Sequence, residues 1–404
     1  MTDLVQTGSA AAEVVGFAQG LRERLVGEQA ATEARRFYSR ELHEEFREAG
    51  LYKLFVPRRY GGLELDVPTY FRVVMALARG CPSTGWMFAL GTAHSLQLAT
   101  CWPRQAQDEL FADDGHFVAS ASFAYQDAIA RPVDGGYRIS GTWHFCSGVP
   151  HATHHMPLAP VEGGDGARIV AVVPREQFRM LDNWGDLIGL KGSGSHSVVI
   201  DDVFVPEHLT IPLEDWLAVG VHETCGYELH RNPLYGGAFI GVALGEVNSV
   251  QVGAAQGAAD AYERLLERPS NAAGAGDGLP RSENVDYQRL LGLAIAYTDA
   301  AESIVLRCGE LYHAYAGEAM TGGETFTAER AFRLYGQYMT AHKLCWEAGD
   351  TVFRAGSTTG ARDGATLQRY WRDLCAFRSN GQHQLDLLAA TIARTHLGKP
   401  IDWF

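Results

Sequence analysis

The chain has 404 residues, 46% of them hydrophobic and 20% charged, an ordinary globular composition long enough for two or three domains. Its formal net charge of −14 argues against a nucleic-acid partner, because binding a polyanion depends on basic patches that release counterions. No run approaches the ~20 apolar residues of a spanning helix, so no membrane association is expected.

The opening MTDLVQTGSAAAEVV lacks the basic and apolar regions of a secretory leader. The seven cysteines, at 81, 101, 146, 225, 308, 345 and 375, are dispersed and form no CxxC. That usage fits a reducing compartment and predicts a cytoplasmic protein with no zinc site or disulfide framework.

Residues 1–115 read as a helical domain. From Ala11 to Phe55, apolar residues recur at three- and four-residue spacings over several turns. A Gly-Gly turn at 61–62 and a Pro at 68 precede a second amphipathic run, and CPSTGWMFALGTAHSLQLATCW (81–102) is uniformly apolar, as a buried helix would be.

Between 116 and 225 the period changes. HFVASASFA, GGYRISGTWHFCSG, ARIVAVVPR and SHSVVIDDVFVP are short, rich in β-branched residues and bounded by Gly or Pro, which predicts a β-barrel or β-sandwich domain. His144, His151, His154 and His155 cluster here without carboxylate or Cys partners at metal-ligand spacing. They read as loop or surface histidines, with no metal.

Helical spacing returns near 234, and residues 226–404 are expected to form a C-terminal four-helix bundle. The small residues of GVALGEVNSVQVGAAQGAA (241–259) allow close helix contact, either within the chain or between subunits. The fold class is therefore α+β, in the order helices, β insert, helical bundle.

Four stretches carry a resemblance. YRISGTWHFCSG (137–148) places Trp143 and Phe145 before Ser147 and Gly148; FVASASF (117–123) carries Ser120 and Ser122. LIGLKGSGSHSVVIDDVFVP (187–206) is a Gly/Ser loop running into a strand. FRAGSTTGARDGATLQRYWRD (353–373) is a Gly-rich turn followed by Gln368, Arg369, Arg372 and Asp373. In these stretches and in block order the chain resembles the acyl-CoA dehydrogenase superfamily, on its flavin-dependent monooxygenase branch.

The resemblance implies that Trp143, Phe145, Ser147, Gly148 and Ser120 lie along a flavin ring. It implies that Arg354, Gly356, Ser357 and Arg369 reach the flavin of a neighbouring subunit, as in a homotetramer, and that Arg264 or Arg268 meets its phosphate. Arg372 and Asp373 read as an internal pair fixing the helix. The glycines of 187–194 read as turn residues and not as a phosphate loop, since no GK[ST] follows them.

The catalytic position departs from the family pattern. Eight residues past Asp373, where dehydrogenases of this kind carry a Glu, stands Gly381. Seven residues past it, where the oxygenases carry a His, stands Asn380. Glycine cannot remove an α-proton, although Glu246, on another helix, is an alternative base. Asn380 can hydrogen-bond but not shuttle a proton, and His383 replaces it if the register shifts. His94 is the other base for a phenol, or a satisfied core histidine.

The implied function is the oxygenase component of a two-component system. It would take reduced FMN or FAD from a separate NAD(P)H:flavin reductase and use O2, through a C4a-hydroperoxide, to hydroxylate an aromatic small molecule. The expected catalytic set is Asn380, Ser122, His94 and His383. No GxGxxG fingerprint is visible for NAD(P)H itself. An amine N-oxygenase and an acyl-CoA dehydrogenase-type oxidoreductase are the alternatives.

Overall fold

The computed structural model describes residues 2–217, 224–267, 281–379 and 385–401. Six helices come first: α1 (Thr2–Gly20), α2 (Arg22–Arg35), α3 (Arg40–Glu48), α4 (Val67–Gly80), α5 (Pro82–Cys101) and α6 (Arg104–Leu110). Local chemistry sets their starts. Asp66 caps α4 by accepting the Thr69 N–H, and Pro68 occupies its first turn. The uniformly apolar α5 is buried along nearly its whole length, as its composition predicts.

The β region contains β1 (Ala119–Ser122), β2 (Tyr125–Val133), β3 (Gly136–Trp143), β4 (His154–Pro160), β5 (Arg168–Ala171), β6 (Val173–Pro174), β7 (Arg179–Met180), β8 (Val198–Pro206) and β9 (Thr210–Pro212). One sheet has the order β1-β4-β5-β9, with β6 also on β4; the other has the order β2-β3-β8-β7. β1 pairs with β4 in parallel, and this pairing sets His155 opposite Ser120. The two sheets enclose Trp143, which is fully buried.

The strands end at Pro212, earlier than the 225 read from the sequence. The short α7 (Leu213–Leu217) and α8 (Cys225–His230) follow. The bundle consists of α9 (Ile240–Leu266), α10 (Val285–Met320), α11 (Ala328–Ala355), the single turn α12 (Ser357–Gly360), α13 (Thr366–Arg378) and α14 (Leu385–His396).

The small residues of α9 are used within the chain. A Cβ at Gly253 would stand 2.3 Å from the Met75 carbonyl oxygen of α4, and one at Gly257 would stand 2.5 Å from the Tyr370 ring of α13. Arg79 of α4 adds a bidentate ion pair to Asp260 of α9 at 2.7 Å, half exposed and so worth about 1 kcal/mol or less. α9 is thus the post against which α4, α5 and α13 lean. No helix among the described residues is long and apolar enough to cross a membrane.

Candidate active site

The site is built where the three blocks meet, on α5, the β3–β4 connection and α13. On α5, His94 is buried, and its Nδ1 lies 2.7 Å from the Ala119 carbonyl oxygen of β1. A carbonyl only accepts, so Nδ1 carries the proton and Nε2 is left as the acceptor. Burial pushes the imidazole down to about 4, so His94 is neutral at physiological pH. It is therefore a satisfied buried histidine at Nδ1 that keeps a base at Nε2.

The two β1 serines do not present free hydroxyls. Ser120 is fully buried, with Oγ 2.8 Å from His155 Nδ1. Ser122 donates to the His144 carbonyl and accepts the Ala124 N–H, bracing the turn into β2. The flavin-facing reading of Ser120 is thus corrected: its hydroxyl is spent on the β1–β4 pair. His154 and His155 lie on β4 rather than on a loop. His155 is in the core, and His154 stacks on Phe117 at 4.9 Å.

Trp143 is also reassigned. It has no accessible surface and gives its indole N–H to the Leu158 carbonyl at 2.8 Å, so it belongs to the core of the β domain. The aromatic wall is made by Phe145 instead. Its side chain is 62% exposed, its φ is 59°, and its ring meets Trp184 edge to face at 6.2 Å. A left-handed non-glycine residue costs roughly 1–2 kcal/mol, and an exposed phenylalanine held there gains nothing from burial in return.

Ser147, two residues on, links the blocks. Its Oγ accepts the Trp86 indole N–H from α5 at 2.9 Å and pairs with Ser195 Oγ at 2.8 Å. The Trp86 ring in turn packs on Phe377 of α13 at 5.2 Å. Gly148 serves this junction and not an open face: at φ 81° a Cβ would stand 3.2 Å from the Met87 carbonyl oxygen of α5. Trp86, Trp184 and Phe377 were not singled out from the sequence, because nothing in their local spacing marks which apolar surfaces end beside the β3–β4 connection.

α13 is fixed to the loop 187–194. The Leu190 N–H donates to Asp373 at 2.6 Å, and Arg372 donates to the Ile188 carbonyl and to Glu33, each at 2.9 Å. Arg372 and Asp373 therefore bind two other segments rather than each other. Burial raises the Asp373 carboxyl to about 7. Asn380, His383 and Arg268 lie outside the described residues.

The remaining residues gather where α9, α11, α12 and α13 converge. Arg264 is half exposed and pairs with Glu23 at 3.2 Å, and Arg354 pairs with Asp350 at 2.8 Å on the surface. Gly356 closes α11 against Leu367, and Ser357 is exposed with φ 53°. Arg369 is the least committed cation of the group. Its Nε is buried without a hydrogen bond and lies 3.6 Å from Glu33.

The N-terminal domain of acyl-CoA dehydrogenase matches residues 13–107, and the C-terminal domain matches residues 247–384. The pigment production hydroxylase of Rhodococcus sp. (strain ATCC 21145) is 33% identical over 360 residues, 88% of each chain. The chain belongs to the acyl-CoA dehydrogenase family. Within the family it falls with the flavin-dependent monooxygenases, and reduced flavin is its cofactor. The flavin-dependent monooxygenase oxygenase subunit HsaA of Rhodococcus jostii is 28% identical over 88% of this chain and 90% of its own. XiaF from Streptomyces sp., solved with FADH2 and glycerol, superposes with a TM-score of 0.88 at 25% identity over 100% of both chains.

The residues present fit a flavin. Phe145 is exposed with Trp184 at its edge, Ile188 of the 187–194 loop is 52% exposed, and Arg369 Nε, ion-paired to Glu33 at 3.6 Å, makes no hydrogen bond. Phe145→Gly is expected to leave the melting temperature unchanged or slightly raised, because it relieves the backbone. It is also expected to weaken binding of oxidised FMN or FAD about 10-fold, the loss of one aromatic stacking contact. A fluorescence titration of the flavin beside a thermal melt checks both halves.

Proposed function

We propose that the protein hydroxylates an aromatic carbon of a small phenolic or polyketide-like molecule, as the oxygenase component of a two-component system. A separate NAD(P)H:flavin reductase supplies its reduced FMN or FAD. The observation that carries this reading is His94, a neutral imidazole whose Nδ1–H is held by Ala119 and whose Nε2 is left to accept a proton.

Reduced flavin, when bound, supplies the two electrons with which one atom of O2 enters the substrate and the other leaves as water. The chain's own residues do the rest. As the ring carbon is oxygenated the phenol hydroxyl becomes strongly acidic, and His94 Nε2, a weak base after burial, takes its proton at that stage. Phe145 and Trp184 wall one side of the ring-binding cleft. The Trp86–Ser147–Ser195 chain locks α5 to the β3–β4 connection and keeps water from the junction. Asn380, by its position in the family motif, would contribute a hydrogen bond in place of the family's base.

An amine N-oxygenase is the second reading, favoured by Asn380 standing where a base would be, since an amine is already nucleophilic. Ser357 is exposed and Val285 is 72% exposed, and an apolar residue left bare on α10 supports assembly of subunits as a homotetramer; a cytoplasmic location is part of the same reading and rests on the dispersed cysteines.

The test is oxygen uptake by the purified chain with chemically reduced FMN or FAD, followed by product analysis with phenols and with primary amines. Rapid uptake and a hydroxylated phenol are expected. An oxygen-stable reduced flavin would return the protein to the dehydrogenases, and N-oxides without ring products would select the second reading.

A further inference from the structure

A narrow cavity between α5, α7, α9 and α10 is lined by Gln97, Trp216, Glu246 and Tyr312, with Asp215 at its exposed end. Two of its polar atoms are buried without a partner, and a buried carboxyl stands with them. Glu246 is 3% exposed. Gln97 Oε1 and Trp216 Nε1 are both buried and unpaired. The other polar groups are spent: Tyr312 donates to Leu234, and Thr224 donates to Tyr235. Buried polar atoms are nearly always paired, and leaving one unpaired costs about 1–3 kcal/mol. Two such atoms beside a buried carboxyl on one cavity leave room there for a small polar group.

The cavity meets α5 within one helical turn of His94. Gln97 lies three residues beyond His94 on α5, on the same face and about 4.5 Å along the axis. No Lys, Arg or His lines the space, while Asp215 stands at its mouth. A carboxylate-bearing ligand would find no cation and two acids. With no cation beside it, burial raises the Glu246 carboxyl, and in its protonated form it offers an O–H beside the Trp216 N–H. Two donors converge on a carbonyl oxygen, which has two lone pairs. Gln97 Oε1 accepts from a neighbouring N–H or O–H.

We propose that Glu246, Trp216 and Gln97 form the specificity subsite for the distal end of the substrate, and that this end is an uncharged carbonyl flanked by an N–H or O–H, as in an amide, a lactam or a hydroxyketone. The subsite deepens the aromatic-hydroxylase reading and rests on it for the word substrate. A phenol with its hydroxyl at His94 extends along α5 and places its carbonyl in the cavity.

The test uses three probes that share a ring and differ at the distal group: 4-hydroxyphenylacetamide, 4-hydroxyphenylacetate and tyramine. Their binding to the full-length wild-type chain, Glu246→Gln and Glu246→Leu is measured by isothermal titration calorimetry. The acetamide is expected to bind at least 10-fold more tightly than the acetate or the amine. Glu246→Gln, which still donates and accepts, should keep that preference, and Glu246→Leu should lose it about 10-fold. Equal or tighter binding of the acetate would overturn the proposal. So would tightest binding of tyramine that Glu246→Gln abolishes, because Glu246 would then act as a charge. Should either variant fail to fold, the wild-type ranking alone decides. Oxygen uptake with reduced FMN and no probe is recorded in parallel. Its failure would sink the oxygenase reading while leaving the binding order standing.

Discussion

Replacing His94 by glutamine is expected to cut hydroxylated product about 10²- to 10³-fold while oxygen uptake with reduced flavin continues and hydrogen peroxide takes the place of product. The magnitude is that of removing a positioned general base. Glutamine keeps a donor for the Ala119 carbonyl but offers no basic nitrogen, so structure and chemistry separate. The pH dependence has a definite sign. Because burial lowers the imidazole to about 4, the neutral form persists at every pH above that. The wild-type rate should therefore show no rise of the ordinary histidine kind between pH 6 and 7, and the deficit of the variant should be constant across that range. Measuring product and peroxide together over pH 5.5–8.5 checks both. An unchanged ratio of product to peroxide would remove His94 from the site.

Gly189→Ala is expected to destabilise the protein by about 3 kcal/mol, at the upper end of overpacking costs, and to abolish coupled turnover. A Cβ there would stand 2.1 Å from the Arg372 carbonyl oxygen and 2.6 Å from the Asp373 nitrogen. Both are backbone atoms inside α13 that cannot swing aside. The loop must lift off the helix, which breaks the Leu190–Asp373 bond and leaves a buried carboxyl without its donor. The loop also carries Ile188, so the rim of the cleft moves with it. Gly292→Ala on α10 is the contrast. Nothing lies within 4 Å of the added methyl, so the substitution should be neutral or gain up to about 1 kcal/mol of helix propensity. Thermal melts of the two variants should shift in opposite directions or differ by several degrees. A Gly189→Ala melt equal to wild type would mean that the loop does not seat on α13.

The same glycine shows how far a sequence reading reaches. In LIGLKGSGSHSVV a glycine reads as a turn residue, and Gly194 at φ 59° is one. Gly189 is required by the approach of the Arg372 and Asp373 backbone from far along the chain, and no local pattern announces that. His154 and His155 misled for a related reason. A polar residue in a short strand reads as exposed until the opposite strand supplies its partner, as Ser120 does for His155.

The sequence by itself determined the element types, their order and the family. Period and composition are local properties, and the run of α5 or the strands around Tyr137 carry theirs within a dozen residues. Motif spacing likewise placed the Arg-Asp helix and marked Asn380 and Gly381 as departures. Only the tertiary structure decided which groups in those motifs are free. Trp143 loses its indole N–H to Leu158, and Phe145, two residues on, keeps an exposed ring. Glu246, Gln97 and Trp216, from three separate segments, line one cavity, where Gln97 Oε1 and Trp216 Nε1 are unpaired. Whether a side chain is spent depends on what the chain brings against it from far along its length, and the residues beside it in the sequence do not encode that.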